Sequence, residues 1–190
     1  MTSRTHDAIA FASLVTAAVY FPPQSVNVLT LAVAVIGCDI GALVPDLDQA
    51  GNRLWDLLPG GNSVGKVLRR VFYKHRTFTH SILGTFLIYR GLGWLLPKLL
   101  NGTAIDVSLV FGAIMIGYLS HLAADFTTKE GLPLLYPFKI NFGFPPFEWL
   151  RLTTDSFMER WLVFPAVLIY LVSFIILHQS QVLGIIRLVQ

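Results

Sequence analysis

The sequence predicts an all-α fold: a polytopic transmembrane helical bundle of about five spans with an interfacial helix. Three observations carry this. Of 190 residues, 54% are hydrophobic and 13% are charged, about half the charged share of an ordinary soluble domain. Mean hydropathy is +0.64. The apolar residues fall in blocks near the roughly 20 residues that a bilayer core requires. A soluble domain of this size has too much surface for 14 basic and 11 acidic residues to cover. A soluble enzyme and a disordered chain are therefore excluded. A disulfide-stapled fold is excluded too, because Cys38 is the single cysteine.

The first block, 8–21, is closed by Pro22-Pro23 and borrows residues at both ends to reach spanning length. No small-x-small cleavage site precedes Pro22, so it reads as a span and not as a cleaved leader. The second, 28–44, is closed by Pro45. Residues 64–74 place Val67, Leu68, Val71 and Phe72 on one helical face, with Lys66, Arg69, Arg70 and Lys74 around the other. This is the pattern of a helix lying on an anionic leaflet. The third block, 81–96, is closed by Pro97, with Thr77 or Thr79 placed to cap its start. The fourth is 104–124. Residues 129–160 are rich in proline and aromatic residues and are expected to dip into the membrane interface or to form an aromatic belt. The fifth block is 161–177, and 182–189 lies outside or along the interface. There is no internal repeat, and residues 1–190 read as one membrane-embedded domain.

Five spans put the N-terminus, the 45–80 loop and the 125–160 loop on one side. That side holds Arg4, Arg53, Lys66, Arg69, Arg70, Lys74, Arg76, Lys129, Lys139, Arg151 and Arg160; the other holds Lys98 and Arg187. Such a bias predicts that the first side is cytoplasmic. The net charge of +3 is then topological, and no nucleic-acid partner is expected.

The ionisable residues gather at the same predicted end. His6 opens span one, Asp46 and Asp48 follow span two, and His75 and His80 precede span three. His121 and Asp125 close span four, and Glu159 opens span five. His121 and Asp125 are four apart, so both leave one face of a helix and can bind one metal ion. Asp46 and Asp48 flank one residue, and an extended turn would point both the same way. His121 lies within an apolar block, where ionisable groups are rare and functional. Mixed imidazole and carboxylate donors point to Zn, with Mn or Fe the other candidates, and away from Mg or Ca. Asp39 and Arg90 lie inside spans at like depth. They are expected to form an ion pair, the other reading being a polar floor to the site.

Four blocks in this order resemble the LexA-regulated, membrane-bound metal-dependent hydrolase family. They are Gly41-Ala42-Leu43-Val44-Pro45-Asp46-Leu47-Asp48, His75-Arg76-Thr77-Phe78-Thr79-His80-Ser81, Gly117-Tyr118-Leu119-Ser120-His121-Leu122-Ala123-Ala124-Asp125 and the stretch Thr127 to Phe138. His6 also matches. Two positions depart from the pattern. Gln49 stands where members often carry His, and Thr154-Asp155-Ser156-Phe157-Met158-Glu159 stands where a Thr-Gly-Ser-x-x-Glu element is usual. A more distant likeness is to the all-helical zinc-dependent phospholipase C fold, which implies two or more zinc ions.

The resemblance implies a metal-dependent hydrolase in the cytoplasmic (inner) membrane, with its site at the cytosolic leaflet. His6, Asp46, Asp48, His75, His80, His121 and Asp125 would hold metal, Asp48 or Glu159 would act as general base, and Arg76 would neutralise an anionic substrate group. The depth of the site points to membrane lipid as partner. The substrate would be amphiphilic and phosphate-bearing, a phospholipid or a polyprenyl phosphate. Two other classes are a metal or proton transporter, which needs polar residues along the whole path, and a non-catalytic scaffold held by a structural metal. No His-Glu-x-x-His motif is present.

Overall fold

The computed structural model describes residues 1–48, 78–138 and 140–189. The interfacial helix expected at 64–74 lies outside the described residues, as do His75 and Arg76. Among the described residues the protein is all helical, with six α-helices, short 3-10 and π turns, and no strand.

Helix α1 is Ser3–Tyr20. It starts five residues before the apolar block, which puts His6 in its first turn. It stops where Pro22 disfavours helical geometry in the residue before it. Helix α2, Val28–Leu43, begins at Asn27, whose Oδ1 accepts from the Thr30 amide at 2.7 Å, and stops ahead of Pro45. Helix α3 is Ile82–Leu99. Its N-cap is Ser81, whose Oγ accepts from the Gly84 amide at 3.0 Å; Thr79 is used elsewhere. Pro97 lies inside the last turn of α3 rather than beyond it; that close to the end, its missing N–H costs one hydrogen bond and no more.

Helix α4, Val107–Phe126, begins three residues later than the apolar block. Asp106 fixes the start, its Oδ1 accepting from the amides of Ser108 (2.9 Å) and Leu109 (3.1 Å). A π turn, Glu159–Val163, leads into α5, Phe164–Leu177, and α6, Gln179–Arg187, follows.

Helix α4 is the axis of the bundle. It packs most extensively on α2, then on α1, while α3 leans on α4 and α5 on α1. The α2–α4 seam is made of small residues: Ala34, Gly37, Cys38, Gly41 and Ala42 against Ala113 and Gly117. A Cβ on Gly117 would run into the Cys38 carbonyl oxygen, and one on Gly41 into the Ile114 carbonyl. The backbones therefore touch, which is how helices associate where lipid removes the hydrophobic drive. Cys38 is a packing residue here, its Sγ 3.5 Å from the Ala10 carbonyl.

The outward faces are apolar. Ile82, Phe86, Leu87 and Trp94 on α3, and Leu168, Ile169, Val172 and Ile176 on α5, are exposed. Two helices, Val107–Phe126 and Glu159–Leu177, are long and apolar enough to cross a membrane; Val28–Leu43 is apolar but shorter.

The expected Asp39–Arg90 ion pair is not formed. Helix α3 packs on α4, away from α2. Asp39 instead lies half-buried beside Asp7 and Phe11 in a recess of α1 and α2, and Arg90 is exposed on α3. Equal depth put the charges level; the angular order of the helices keeps them apart.

Residues 127–138 and 140–158 form a cap over the end of α4. Leu132 and Phe142 exchange backbone hydrogen bonds (2.7 and 2.8 Å), and the Phe144 amide donates to the Phe126 carbonyl at 2.9 Å. The Arg151 guanidinium donates to the carbonyls of Pro145 (2.7 Å), Gly143 (3.0 Å) and Pro146 (3.1 Å). With its backbone satisfied inward, the cap turns Phe138, Phe144, Phe147 and Trp149 outward.

Candidate metal centre

Helices α1 to α5 alternate in direction. The C-terminal ends of α2 and α4 therefore meet the N-terminal ends of α1 and α3. Asp46 sits in the 3-10 turn Pro45–Asp48 just past α2, and His80 in the 3-10 turn Phe78–His80 just before α3. His121 and Asp125 occupy the last turns of α4. One ligand atom from each of these four residues lies within 4.8 Å of the others. His80 Nε2 is 3.7 Å from Asp46 Oδ1 and 3.6 Å from Asp125 Oδ2; His121 Nε2 is 3.6 and 3.5 Å from the same two oxygens. His80, His121 and Asp125 are buried and Asp46 is partly exposed, so the cluster has one open side.

The protonation of both rings follows from their outer partners. His121 Nδ1 is 2.7 Å from the Ala42 carbonyl, which can only accept, so Nδ1 carries the proton. Thr79 Oγ1 donates to the Pro45 carbonyl at 2.7 Å. Its remaining lone pair can therefore only accept from His80 Nδ1, 3.3 Å away. In the neutral form of each ring, Nε2 is then the lone pair, aimed at the centre. Burial pushes the His80 imidazole below its ordinary value, the Asp125 carboxylate opposing, which favours the neutral form that ligates metals. Tyr118, buried in α4, donates to the Thr79 carbonyl and fixes the turn that carries His80.

With both rings neutral, a nitrogen lone pair faces a carboxylate oxygen along all four contacts. His121 Nε2 has no hydrogen bond among the described residues although it is wholly buried. Acceptors facing acceptors repel, and a cation at their midpoint reverses the sign. Tetrahedral coordination with bonds of roughly 2.0–2.1 Å would give edges of about 3.3 Å. The observed 3.5–3.7 Å fits a small divalent ion after slight contraction. The donor set also fits: two imidazoles with two carboxylates suit a transition metal.

The other expected site residues fall differently. His6 stacks on His121, ring centroids 3.7 Å apart at 7°, and is buried with neither ring nitrogen hydrogen-bonded among the described residues. Its Nε2 is 3.3 Å from Asp125 Oδ1, the oxygen turned away from the four-residue cluster and also 2.7 Å from the Met1 amino group. Asp125 thus faces the cluster with one oxygen and His6 with the other. The segment that carries Asp46 and Asp48 is a 3-10 turn, with Asp46 at φ −87 and ψ 16, and not extended. The Asp48 side chain, His75 and Arg76 lie outside the described residues.

Glu159 is wholly buried but stands apart from the cluster. Its Oε1 accepts from the Thr2 amide at 2.6 Å and its Oε2 from the Asp155 amide at 2.7 Å. It ties the turn that starts α1, and so His6, to the start of α5. Asp155 has φ +60, the left-handed region that favours glycine and next tolerates Asp or Asn. That accounts for Asp155 where the resembled element has Gly. Thr79 was missed as a site residue; the only signal for it was a Thr directly before a His, which reads equally well as a helix cap.

Residues 1–182 match the YdjM inner membrane protein family. The chain is 32% identical over 160 residues to the uncharacterized protein YvsG of Bacillus subtilis (strain 168), covering 84% of this chain and 86% of that protein. It is 36% identical over 103 residues to the inner membrane protein YdjM of Escherichia coli (strain K12), covering 54% of this chain and 48% of that protein. It is also 32% identical over 97 residues to undecaprenyl-diphosphatase 1 of Clostridioides difficile (strain 630), covering 48% of this chain and 35% of that protein. No solved structure matches.

Proposed function

The chain belongs to the YdjM inner membrane protein family, and we propose that it is a membrane-embedded, metal-dependent hydrolase. On this reading it cleaves a phosphoester in a lipid-like substrate at the cytoplasmic leaflet. The observation that carries the reading is the convergence of His80 and His121 lone pairs on two carboxylates at one end of an apolar bundle. Asp46, His80, His121 and Asp125 would hold the first ion. His6 and the second oxygen of Asp125, with Asp48 and His75, would hold another. Zinc fits best, and Mn or Fe would use the same donors. A bound divalent metal supplies Lewis acidity toward a phosphoryl oxygen and a lowered pKa for water.

The chain's own residues do the rest. Asp48, the last residue of the turn that carries Asp46, takes the proton from the attacking water as general base. Glu159, the other carboxylate considered for that task, holds two backbone amides and acts by positioning His6. Arg76 neutralises a phosphate oxygen on the substrate. The local similarity to an undecaprenyl-diphosphatase favours a polyprenyl diphosphate over a glycerophospholipid. Topologically, α1 to α5 are five crossings with the N-terminus and the site in the cytoplasm, as the Lys and Arg distribution suggests.

The test pairs elemental analysis with turnover. Protein purified without added metal should carry zinc or a similar ion, and His121→Ala should lose most of it along with hydrolysis of a polyprenyl diphosphate. Metal retained by wild type with no turnover on polyprenyl diphosphate, phospholipid or a chromogenic phosphodiester would favour a metal-stabilised scaffold. Equal metal in the two proteins would refute the ligand assignment. A transporter is disfavoured because the polar residues cluster at one end.

A further inference from the structure

We propose that the groove between α3 and α4, at the end remote from the His80–His121 cluster, binds an anionic membrane lipid through Arg90. The groove has a volume of about 550 Å³ and is lined by Tyr89, Arg90, Trp94, Ser108 and Phe111, among others. Arg90 is exposed on α3 and has neither an ion pair nor a hydrogen bond among the described residues. It lies eight residues past Ile82 and nine before Leu99, about 12–14 Å from either end at 1.5 Å per residue. An arginine at that depth on a lipid-facing surface is costly unless an anion meets it. Asp39, the acid at matching depth, is out of reach because α3 does not pack on α2.

The surroundings specify the anion. Arg90, Trp94 and Lys98 are spaced four apart and share one face of α3. Lys98 Nζ sits 3.4 Å above the centre of the Trp94 ring, so the face carries two cations leading from mid-helix toward the end of α3. Ser108, at the start of α4, adds a hydroxyl to the wall. A phosphate fits this set: a guanidinium donates to two of its oxygens and the hydroxyl to a third. Tyr89, Trp94 and Phe111 offer flat apolar walls for the lipid's chains. The long arginine stem lets the guanidinium rise toward the headgroup level while the open groove lets the phosphate descend. A lipid supplies both halves of this chemistry, which a free phosphate does not. The inference is independent of the hydrolase reading, since the groove is at the other end of the bundle.

The test is native mass spectrometry of the full-length chain in detergent, titrated with phosphatidylglycerol or phosphatidylcholine. Wild type should bind phosphatidylglycerol about tenfold more tightly than phosphatidylcholine, the scale of one charge-assisted contact. Arg90→Gln should lose that preference and keep the phosphatidylcholine affinity; Arg90→Lys should fall between. A thermal midpoint in detergent equal to that of wild type shows that Arg90→Gln is folded. Equal affinity of wild type for the two lipids overturns the proposal without reference to any variant. So does a preference that survives Arg90→Gln. Displacement of phosphatidylglycerol by millimolar inorganic phosphate would make this a free-phosphate site. A dimer that dissociates on Arg90→Gln would assign the groove to a second copy. Either result overturns the lipid assignment.

Discussion

His121 points its Nε2 at the centre because its Nδ1 proton is held by the Ala42 carbonyl, and His80 does so because Thr79 holds its other nitrogen. Outer partners of this kind typically tune metal affinity by roughly 10–100-fold when removed. Thr79→Val should therefore weaken metal binding by roughly that factor, while Thr79→Ser should restore it. Competition with a chelator of known affinity reads both, and equal affinity in Thr79→Val and wild type would remove Thr79 from the site. Glu159 gives a separate prediction. Glu159→Ala takes the acceptors from the part-buried Thr2 and Asp155 hydrogen bonds, at a total cost of about 1–3 kcal/mol. The thermal midpoint in detergent should fall by several degrees. Asp155→Gly should be close to neutral, because glycine takes φ +60 without strain.

Among the elements, the α2–α4 seam has the least tolerance. Gly117→Val drives a side chain into the Cys38 carbonyl and should cost roughly 3 kcal/mol. It would also spread Asp46 from His121 and so lower metal content. Gly112, five residues earlier on the same helix, has open space around its Cβ position. Gly112→Ala should be neutral or stabilising by up to about 1 kcal/mol. Similar losses at both glycines, measured by thermal unfolding, would show that helix propensity and not backbone contact sets the effect. The aromatic cap offers another check. In a variant whose only tryptophan is Trp149, bilayer nanodiscs with headgroup-proximal brominated lipids should quench the fluorescence strongly. Quenching by aqueous iodide alone would place this part of the cap in water.

For the whole molecule, the proposed five crossings put residues that flank α3 on opposite sides of the membrane. Single cysteines at Asn62 and Asn101 in a Cys38→Ser background should label from the inside and the outside respectively. Labelling of Asn62 from outside would invert the bundle and move the site away from the cytoplasm. The bundle also explains why the charged residues can be so few. With α4 enclosed by α1, α2 and α3 and the outer faces apolar, polar side chains are needed only at the ends, and there four of them converge.

Much of this was legible in the chain itself. Composition fixes a helical membrane protein, because no soluble core could hide so many apolar residues. The spacing of His121 and Asp125 fixes one shared face, because the α-helical period is local. The motif order led to the family, since motifs survive where overall identity fades. The limits at Pro22 and Pro45 follow from local stereochemistry and held for the helices; Pro97 did not, because near a helix end the lost bond is not prohibitive. What the chain could not reveal is angular order around the bundle. Depth put Asp39 and Arg90 level, but only the packing of α3 on α4 separates them and leaves Arg90 exposed. Likewise Glu159 and His6 read as members of one cluster by their position at helix ends. The tertiary structure set His6 beside His121 and gave Glu159 to backbone amides. Sequence records distance along an axis, whereas ligation, pairing and exposure depend on rotation about that axis, and that is decided by which helices touch.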